Sequence, residues 1–182
     1  MRIISGTYRG KKLLSPDSAN VRPTSDRARE AVFNILYSKL GRPLAEIRLA
    51  DIFTGSGAFA LEAVSRGVKE ALLVDLDTRQ AARNIALFPK EKGRIRLIKA
   101  DALNLPAAQT PCNLVFMDAP YNKGLSEKAL IELHNKKWLT EDALLVVEVE
   151  KNETLTLPPP FERIDERVYG LAKVIFLRLK NS

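Results

Sequence analysis

Leu49-Ala50-Asp51-Ile52-Phe53-Thr54-Gly55-Ser56-Gly57-Ala58-Phe59-Ala60 is the stretch that decides the fold. An apolar run enters a Gly-x-Gly turn and leaves as a helix. Gly55 and Gly57 permit a sharp turn and close approach of a ligand to the backbone, and the amides that open a helix suit polar or anionic groups. Asp75 follows near the end of the next predicted strand, where a carboxylate accepts hydrogen bonds from ribose hydroxyls. The turn alone fits either a nicotinamide cofactor or S-adenosylmethionine, and Ala60 stands where a third glycine is common. Asp51 favours the methyl donor, because a carboxylate beside the loop repels a pyrophosphate but can hold an ammonium through water or backbone groups. A tight strand–helix turn with no ligand is the competing reading.

Outward from this turn the pattern is strand–helix alternation. Strands are predicted at 48–53, 71–76, 94–99, 113–118 and 143–149, with helices at 58–66, 78–88 and 125–136. Three of the strands are nearly continuous apolar runs, as in parallel sheets covered by helices on both faces. Upstream, Ser25 or Asp26 can cap a helix over 26–40, with Ala28, Val32, Ile35, Leu36 and Leu40 on one face and Gly41 and Pro43 ending it. Downstream, Pro158-Pro159-Pro160 breaks the alternation. Two strand-like runs follow, 161–169 and 173–179, joined near Gly170 by a link too short for a parallel crossover. The expected fold class is α/β: a doubly wound, Rossmann-like, mostly parallel sheet ending in an antiparallel hairpin. A small N-terminal β-hairpin precedes it, formed by the runs around Ile3 and Leu13, with a loop at 20–25.

The strand ending at Met117 delivers Asp118-Ala119-Pro120-Tyr121 to the carboxyl edge, where open α/β sheets bind ligands. An exocyclic amine on a purine is a poor nucleophile because its lone pair is delocalised into the ring. The Asp118 carboxylate and the Ala119 carbonyl can each accept an N–H and draw the nitrogen towards tetrahedral geometry, which favours the transition state. Pro120 stiffens the turn, and Tyr121 offers a face on which an unstacked base can lie. Alone, this tetrapeptide reads as an ordinary β-turn. After the fourth strand of such a sheet it reads as chemistry. Asp101 and Ala102, just after the third strand, are placed to meet an adenine amino group, although a helix N-cap at Asp101 fits equally well.

Asp51-x-Phe53-x-Gly55-Ser56-Gly57, Val74-Asp75-x-Asp77 and Asp118-Ala119-Pro120-Tyr121 together resemble a class I methyltransferase of the amino-methylating group. The strings Arg2-Ile3-Ile4-Ser5-Gly6-x-x-Arg9-Gly10-x-Lys12-Leu13 and Arg22-Pro23-Thr24-Ser25-Asp26-Arg27-x-Arg29-Glu30-x-x-Phe33-Asn34 are similar to the RsmD-type 16S ribosomal RNA (guanine-N2)-methyltransferases. The resemblance covers nearly the whole chain. It implies donor contacts from Asp51 through Phe53, Thr54, Gly55 and Ser56 to Gly57, a ribose contact at Asp75, and adenine contacts near Leu76, Asp101 and Ala102. It places base binding and catalysis on Asp118, Ala119, Pro120 and Tyr121, with S-adenosyl-L-methionine as cofactor. It implies a guanine N2 in small-subunit ribosomal RNA as the target, presented in a partly assembled subunit. The family usually has proline where this chain has Ala119, so turn rigidity is expected to change while the backbone carbonyl keeps its role.

The 182 residues suit one domain, and a formal charge of +7 favours polyanionic partners. The first 30 residues carry seven basic against three acidic side chains, more than half the net charge on a sixth of the length. Arg2, Arg9, Lys11, Lys12, Arg22 and Arg27 are therefore the expected RNA contacts, interleaved with Tyr8 and turn residues. The division is an RNA-contacting segment over 1–24 and a methyltransferase domain over 25–182. Lys90, Lys92, Arg94, Arg96 and Lys99 read as a solvated charged face. His134 reads as a surface or packing residue, Cys112 as a small apolar group and Trp138 as a core anchor. With one cysteine and one histidine, no metal site is expected. No secretory signal is visible and no run reaches the roughly 18 apolar residues of a membrane span, so a monomeric cytoplasmic protein is expected. The alternatives are an adenine-N6 or DNA methyltransferase, a nicotinamide-dependent oxidoreductase, and a non-catalytic RNA-binding protein.

Overall fold

The computed structural model describes residues 1–15 and 25–181. The loop expected at 20–25 therefore falls, up to its last residue, outside the described residues, as does the RNA-contact position Arg22. The elements run α1 (Asp26–Leu40), β1 (Arg48–Ile52), α2 (Ala58–Arg66), β2 (Glu70–Asp75), α3 (Arg79–Ile85), β3 (Ile95–Lys99), β4 (Cys112–Asp118), α4 (Leu125–Asn135), β5 (Leu139–Glu150), β6 (Phe161–Tyr169) and β7 (Ala172–Leu179). The seven strands form one sheet in the order β3-β2-β1-β4-β5-β7-β6. β3, β2, β1, β4 and β5 are parallel neighbours, and β7 runs antiparallel to both β5 and β6. The doubly wound α/β architecture and its closing hairpin are as expected. The third predicted helix is shorter than its pattern, because Phe88-Pro89 ends it in a 3-10 turn at Pro89–Glu91.

Two hydrophobic layers sandwich the sheet. On one face β1, β2 and β4 present Leu49, Leu73 and Phe116 to α1 and α2. Phe33 of α1 stacks on Phe59 of α2 at 4.8 Å between ring centroids, and Phe59 stacks on Phe116 at 3.7 Å. On the other face Val115, Met117 and Val147 meet Ala129, Leu130 and Leu133 of α4. Trp138 closes this layer, donating its indole N–H to the Pro106 carbonyl at 2.8 Å. His134 lies edge-on to Phe161 and Cys112 is buried, both acting in packing. α1 starts where Ser25, not Asp26, accepts the Ala28 amide, and Gly41 ends it in the left-handed region. Its buried face holds Arg29 and Phe33, while Ile35 and Leu40 are only partly covered.

The N-terminal segment forms a hairpin with one antiparallel bridge, Arg2 to Lys12, and it is fastened to the domain. Ile3 and Leu13 are buried in the same layer as α2. The side chain of Glu62, on α2 and fully buried, accepts the amides of Ile4 at 2.8 Å and Ser5 at 3.0 Å. That carboxylate also pairs with Arg66 at 2.8 Å and Arg29 at 3.7 Å, so its burial is compensated. Ser65 donates to the Ser5 carbonyl and accepts the Tyr8 amide, while the Ser65 carbonyl accepts the Thr7 amide. No described helix is long and apolar enough to cross a membrane.

Gly6 is required for this docking. Its φ is +88°, and a Cβ there would lie 2.0 Å from the Ser65 carbonyl oxygen, a backbone atom that cannot step aside. Gly10 has φ +84° with open space around it. Gly6→Ala is expected to lower stability by about 3 kcal/mol, strain plus clash, and Gly10→Ala by about 1 kcal/mol from strain alone. Urea denaturation of the two variants measures the difference.

Candidate active site

The order β2-β1-β4-β5 makes β1 and β4 adjacent although β2 and β3 intervene in the chain. The winding direction reverses there, and a crevice opens at the carboxyl edge of such a reversal. The loop after β1 holds Gly55 and Gly57, and the turn after β4 holds Asp118 to Tyr121. Both leave the same edge on neighbouring strands, as the reading of the two motifs requires.

The loop is held in shape from beneath. Asp51, 1% exposed, accepts the Thr54 hydroxyl at 2.7 Å and the Ala60 amide at 3.3 Å with one carboxylate oxygen. Phe53, Gly55 and Gly57 all take positive φ, the sequence of dihedrals that turns the chain between β1 and α2. At Gly57 a Cβ would press on Leu73 Cδ2 at 3.0 Å, whereas Gly55 faces open space. Gly57 thus packs the loop onto the sheet, and Gly55 leaves room above it. Asp75 at the end of β2 accepts the Gly55 amide at 2.8 Å and the Asp77 amide at 3.2 Å. Next to it Leu76 leaves its apolar side chain 63% exposed, an arrangement that suits the flat face of a nucleobase. Asp101 accepts the Leu103 amide at 2.9 Å in a turn, and no helix begins there, so the alternative of a helix N-cap is corrected. Ala102 is buried beneath that turn.

On the other side of the crevice, Asp118 ends β4 in register with Glu148 of β5. Glu148 is 4% exposed and accepts the Tyr121 hydroxyl at 3.2 Å. Ala119 is buried and Pro120 exposed. Burial pushes the Asp118 carboxyl well above the ordinary carboxylate range, and the negative charges of Glu148 and then Asp51 push it further. Burial likewise raises Asp51 to about 7, against the opposing hydrogen bonds of Thr54 and Ala60. The edge therefore gathers Asp51, Asp118 and Glu148 on one face of the sheet, a concentration of negative potential suited to a cationic ligand. Glu148 had escaped the sequence analysis. Its signal was a lone acid inside the apolar run Ala143–Val149.

Of the expected RNA contacts, Arg2, Arg9, Lys12 and Arg27 are exposed. Lys11 differs, holding its ammonium over the Phe88 ring at 5.0 Å and the Tyr8 ring at 5.6 Å. Arg2 pairs with Asp26 at 3.3 Å. The ends of the hairpin reach the glycine loop. Asn84, fully buried, donates to the Ser56 carbonyl at 2.9 Å and exchanges two hydrogen bonds with the backbone of Leu14. Among the basic residues near β3, Arg94 bonds Glu91 and the Val64 and Val68 carbonyls, and Arg96 pairs with Glu70. These two are structural. No cluster of metal-ligating side chains occurs among the described residues.

A family profile described as conserved hypothetical protein 95 matches residues 1–178. Ribosomal RNA small subunit methyltransferase D of Escherichia coli K12 is 38% identical over 175 residues, covering 93% of this chain and 85% of that protein. The protein of the same name from Haemophilus influenzae is 32% identical over 177 residues, covering 94% and 90%. The solved structure of yhhF from Escherichia coli superposes with a TM-score of 0.83 at 34% identity, covering 99% of this chain and 98% of that one.

Because Asp51 has its carboxyl raised from 3.8 to about 7, the folded state favours its protonated form. The associated stability is complete below the ordinary carboxylate range and is lost as pH rises through about 7. Asp51→Asn keeps an acceptor for Thr54 and Ala60 but removes this dependence. Chemical denaturation of both proteins from pH 5 to 8 is expected to show a decline in the wild type that is smaller in the variant, where the raised Asp118 carboxyl still contributes.

Proposed function

The chain belongs to the family of ribosomal RNA small subunit methyltransferase D, and from that premise we infer that it methylates the exocyclic N2 of a guanine in 16S ribosomal RNA. The observation that carries this reading is the emergence of the Gly55 loop and the Asp118 turn from neighbouring parallel strands at one edge. The relatives named for small-subunit ribosomal RNA support the choice of RNA. The basic hairpin, whose ends reach the glycine loop, supports it from physics.

The residues around the glycine loop fit S-adenosyl-L-methionine. Gly55 faces open space, Leu76 offers an exposed apolar surface, and Asp75 stands between them with lone pairs available for ribose hydroxyls. Thr54, Ser56 and the loop amides line the methionine end, with Asp51 shaping the loop below, while Asp101 and Ala102 border the adenine side. The bound cofactor supplies a methyl carbon activated by a positively charged sulfur. A cation held at this edge is favoured electrostatically by ionised Asp51 and Asp118, whose carboxyls are raised in its absence.

The chain's own residues then act on the base. Tyr121 supports the extruded guanine by stacking, worth ~1–3 kcal/mol. The Asp118 carboxylate and the Ala119 carbonyl each accept one N–H of the amine, aiming its lone pair along the line of attack. Positive charge grows on the nitrogen as the N–C bond forms, and both acceptors strengthen as it does. Asp118 takes the released proton, a role its raised pKa favours. Ala119 serves through its carbonyl, so the residue that commonly stands there as proline is not needed for the hydrogen bond. Residues 1–24 contact the RNA, with Arg9 and Lys12 as phosphate contacts beside Arg2, Lys11 and Arg22, while residues 25–182 bind the donor and the base and add Arg27, near the start of α1, to the phosphate contacts. The enzyme works as a monomer in the cytoplasm on ribonucleoprotein of the assembling small subunit.

Nucleoside mass spectrometry of ribosomal RNA from a deletion strain tests the target. Loss of one N2-methylguanine is expected. Loss of N6-methyladenine with N2-methylguanine intact would overturn the assignment. Asp118→Ala is expected to lower kcat by about 10²–10³-fold, as for the loss of one preorganised polar group. Because transfer requires ionised Asp118, the wild-type kcat should fall with decreasing pH along a limb well above ordinary carboxylate values. For RNA binding, Arg9→Ala combined with Lys12→Ala is expected to flatten the dependence of log affinity on log salt by about 2 if each contacts one phosphate. Donor affinity should not change.

A further inference from the structure

We propose that Glu148 is a positioning residue for methyl transfer, holding Tyr121 and the Asp118 turn in the geometry that receives the base. The proposal rests on the methyltransferase reading above. Three observations carry it. β4 and β5 are in register at Asp118 and Glu148, so the two side chains leave the same face of the sheet side by side. The Tyr121 hydroxyl donates to Glu148 at 3.2 Å, which ties the aromatic ring, three residues beyond Asp118, back to the neighbouring strand. The same turn is tied a second time, since the Asn122 amide donates to Glu153 at 3.1 Å just beyond the end of β5.

The chemistry explains why an acid stands there. β5 is apolar on either side of Glu148, with Leu145, Val146, Val147 and Val149 all buried. Burying a carboxylate in such a strand is costly unless it is compensated, and replacing a buried charge by an apolar side chain of similar volume is often neutral or stabilising. A residue kept for stability alone would be better apolar. Glu148 instead spends its position on the hydroxyl of the ring proposed to carry the base. With its hydroxyl fixed, the ring loses its freedom to turn about the Cα–Cβ and Cβ–Cγ bonds, so less order has to be created when a base arrives. The carboxylate also adds to the negative field that raises Asp118, strengthening that group as a proton acceptor.

The test uses the full chain with S-adenosylmethionine and undermethylated small subunits, and it begins with wild-type activity. If the wild type transfers no methyl group to RNA, the reading of function fails, not the role of Glu148. With wild-type transfer established, Glu148→Leu is expected to keep or raise the melting temperature and leave S-adenosylhomocysteine affinity unchanged by calorimetry. It should lower kcat/KM for the RNA on the order of tenfold, the effect of one hydrogen bond to a charged group. Tyr121→Phe keeps the ring and removes only the hydroxyl, and it should give a similar loss. The double variant should be no worse than about the weaker single, because both remove one shared contact. Glu148→Gln, which retains an acceptor, should recover part of the loss. Full activity in Tyr121→Phe overturns the proposal even if Glu148→Leu fails to fold. So does a double variant whose losses multiply, or a Glu148→Leu protein that loses S-adenosylhomocysteine binding in parallel with activity.

Discussion

The pairing of β1 with β4, Leu49 beside Leu114 through Ile52 beside Met117, is the constraint on which everything else depends. Two parallel strands in contact must end at the same edge, and consecutive winding in opposite directions leaves no helix over the gap between their loops. The glycine loop and the Asp118 turn are 60 or so residues apart in the chain, yet this one ladder makes them neighbours. The aromatic stack Phe33–Phe59–Phe116 locks the helix after the glycine loop onto β4, so the two halves of the crevice share one rigid backing.

Buried acids do two different jobs in this molecule. Glu62 is satisfied completely, by two backbone amides of the hairpin and by Arg66 and Arg29, and it serves as a rivet. Each partner donates a hydrogen bond to it or carries a positive charge beside it, which suits a permanent joint. Burial raises the carboxyls of Asp51 and Asp118, and charge repulsion adds to it, from Asp75 at Asp51 and from Glu148 and Asp51 at Asp118. Such an imbalance costs stability and is characteristic of sites built for chemistry or for binding a cation.

The hairpin joins these two regions. Its middle is riveted to Glu62 and Ser65 on α2, and its ends meet the glycine loop through Asn84 and Ser56. A segment rich in basic side chains is thereby fixed along α2, with its ends at the glycine loop and its turn, which carries Arg9, at Ser65 near the far end of the helix. Lys11 is drawn onto Tyr8 and Phe88, because a cation over two aromatic faces is already well placed.

Much of this was legible in the sequence. Apolar runs without alternation announced strands covered on both faces, Gly-x-Gly after such a run announced the tight turn between β1 and α2, and Asp118-Ala119-Pro120-Tyr121 after another announced the turn for which catalysis is proposed. Each is a local pattern, set by dihedral preference and by burial within a few residues. What the tertiary structure alone decided is which distant groups became neighbours. Glu148 is one acid in an apolar strand until its register with Asp118 places it beside the turn, and Glu62 is one acid in a largely apolar helix until the hairpin covers it. Asp101 accepts an amide two residues on in a turn and caps no helix, because the chain from β3 to β4 crosses without one. Pairing across a sheet is specified by the packing of whole faces, an energy spread over many residues, and so it leaves no mark on any single stretch of sequence.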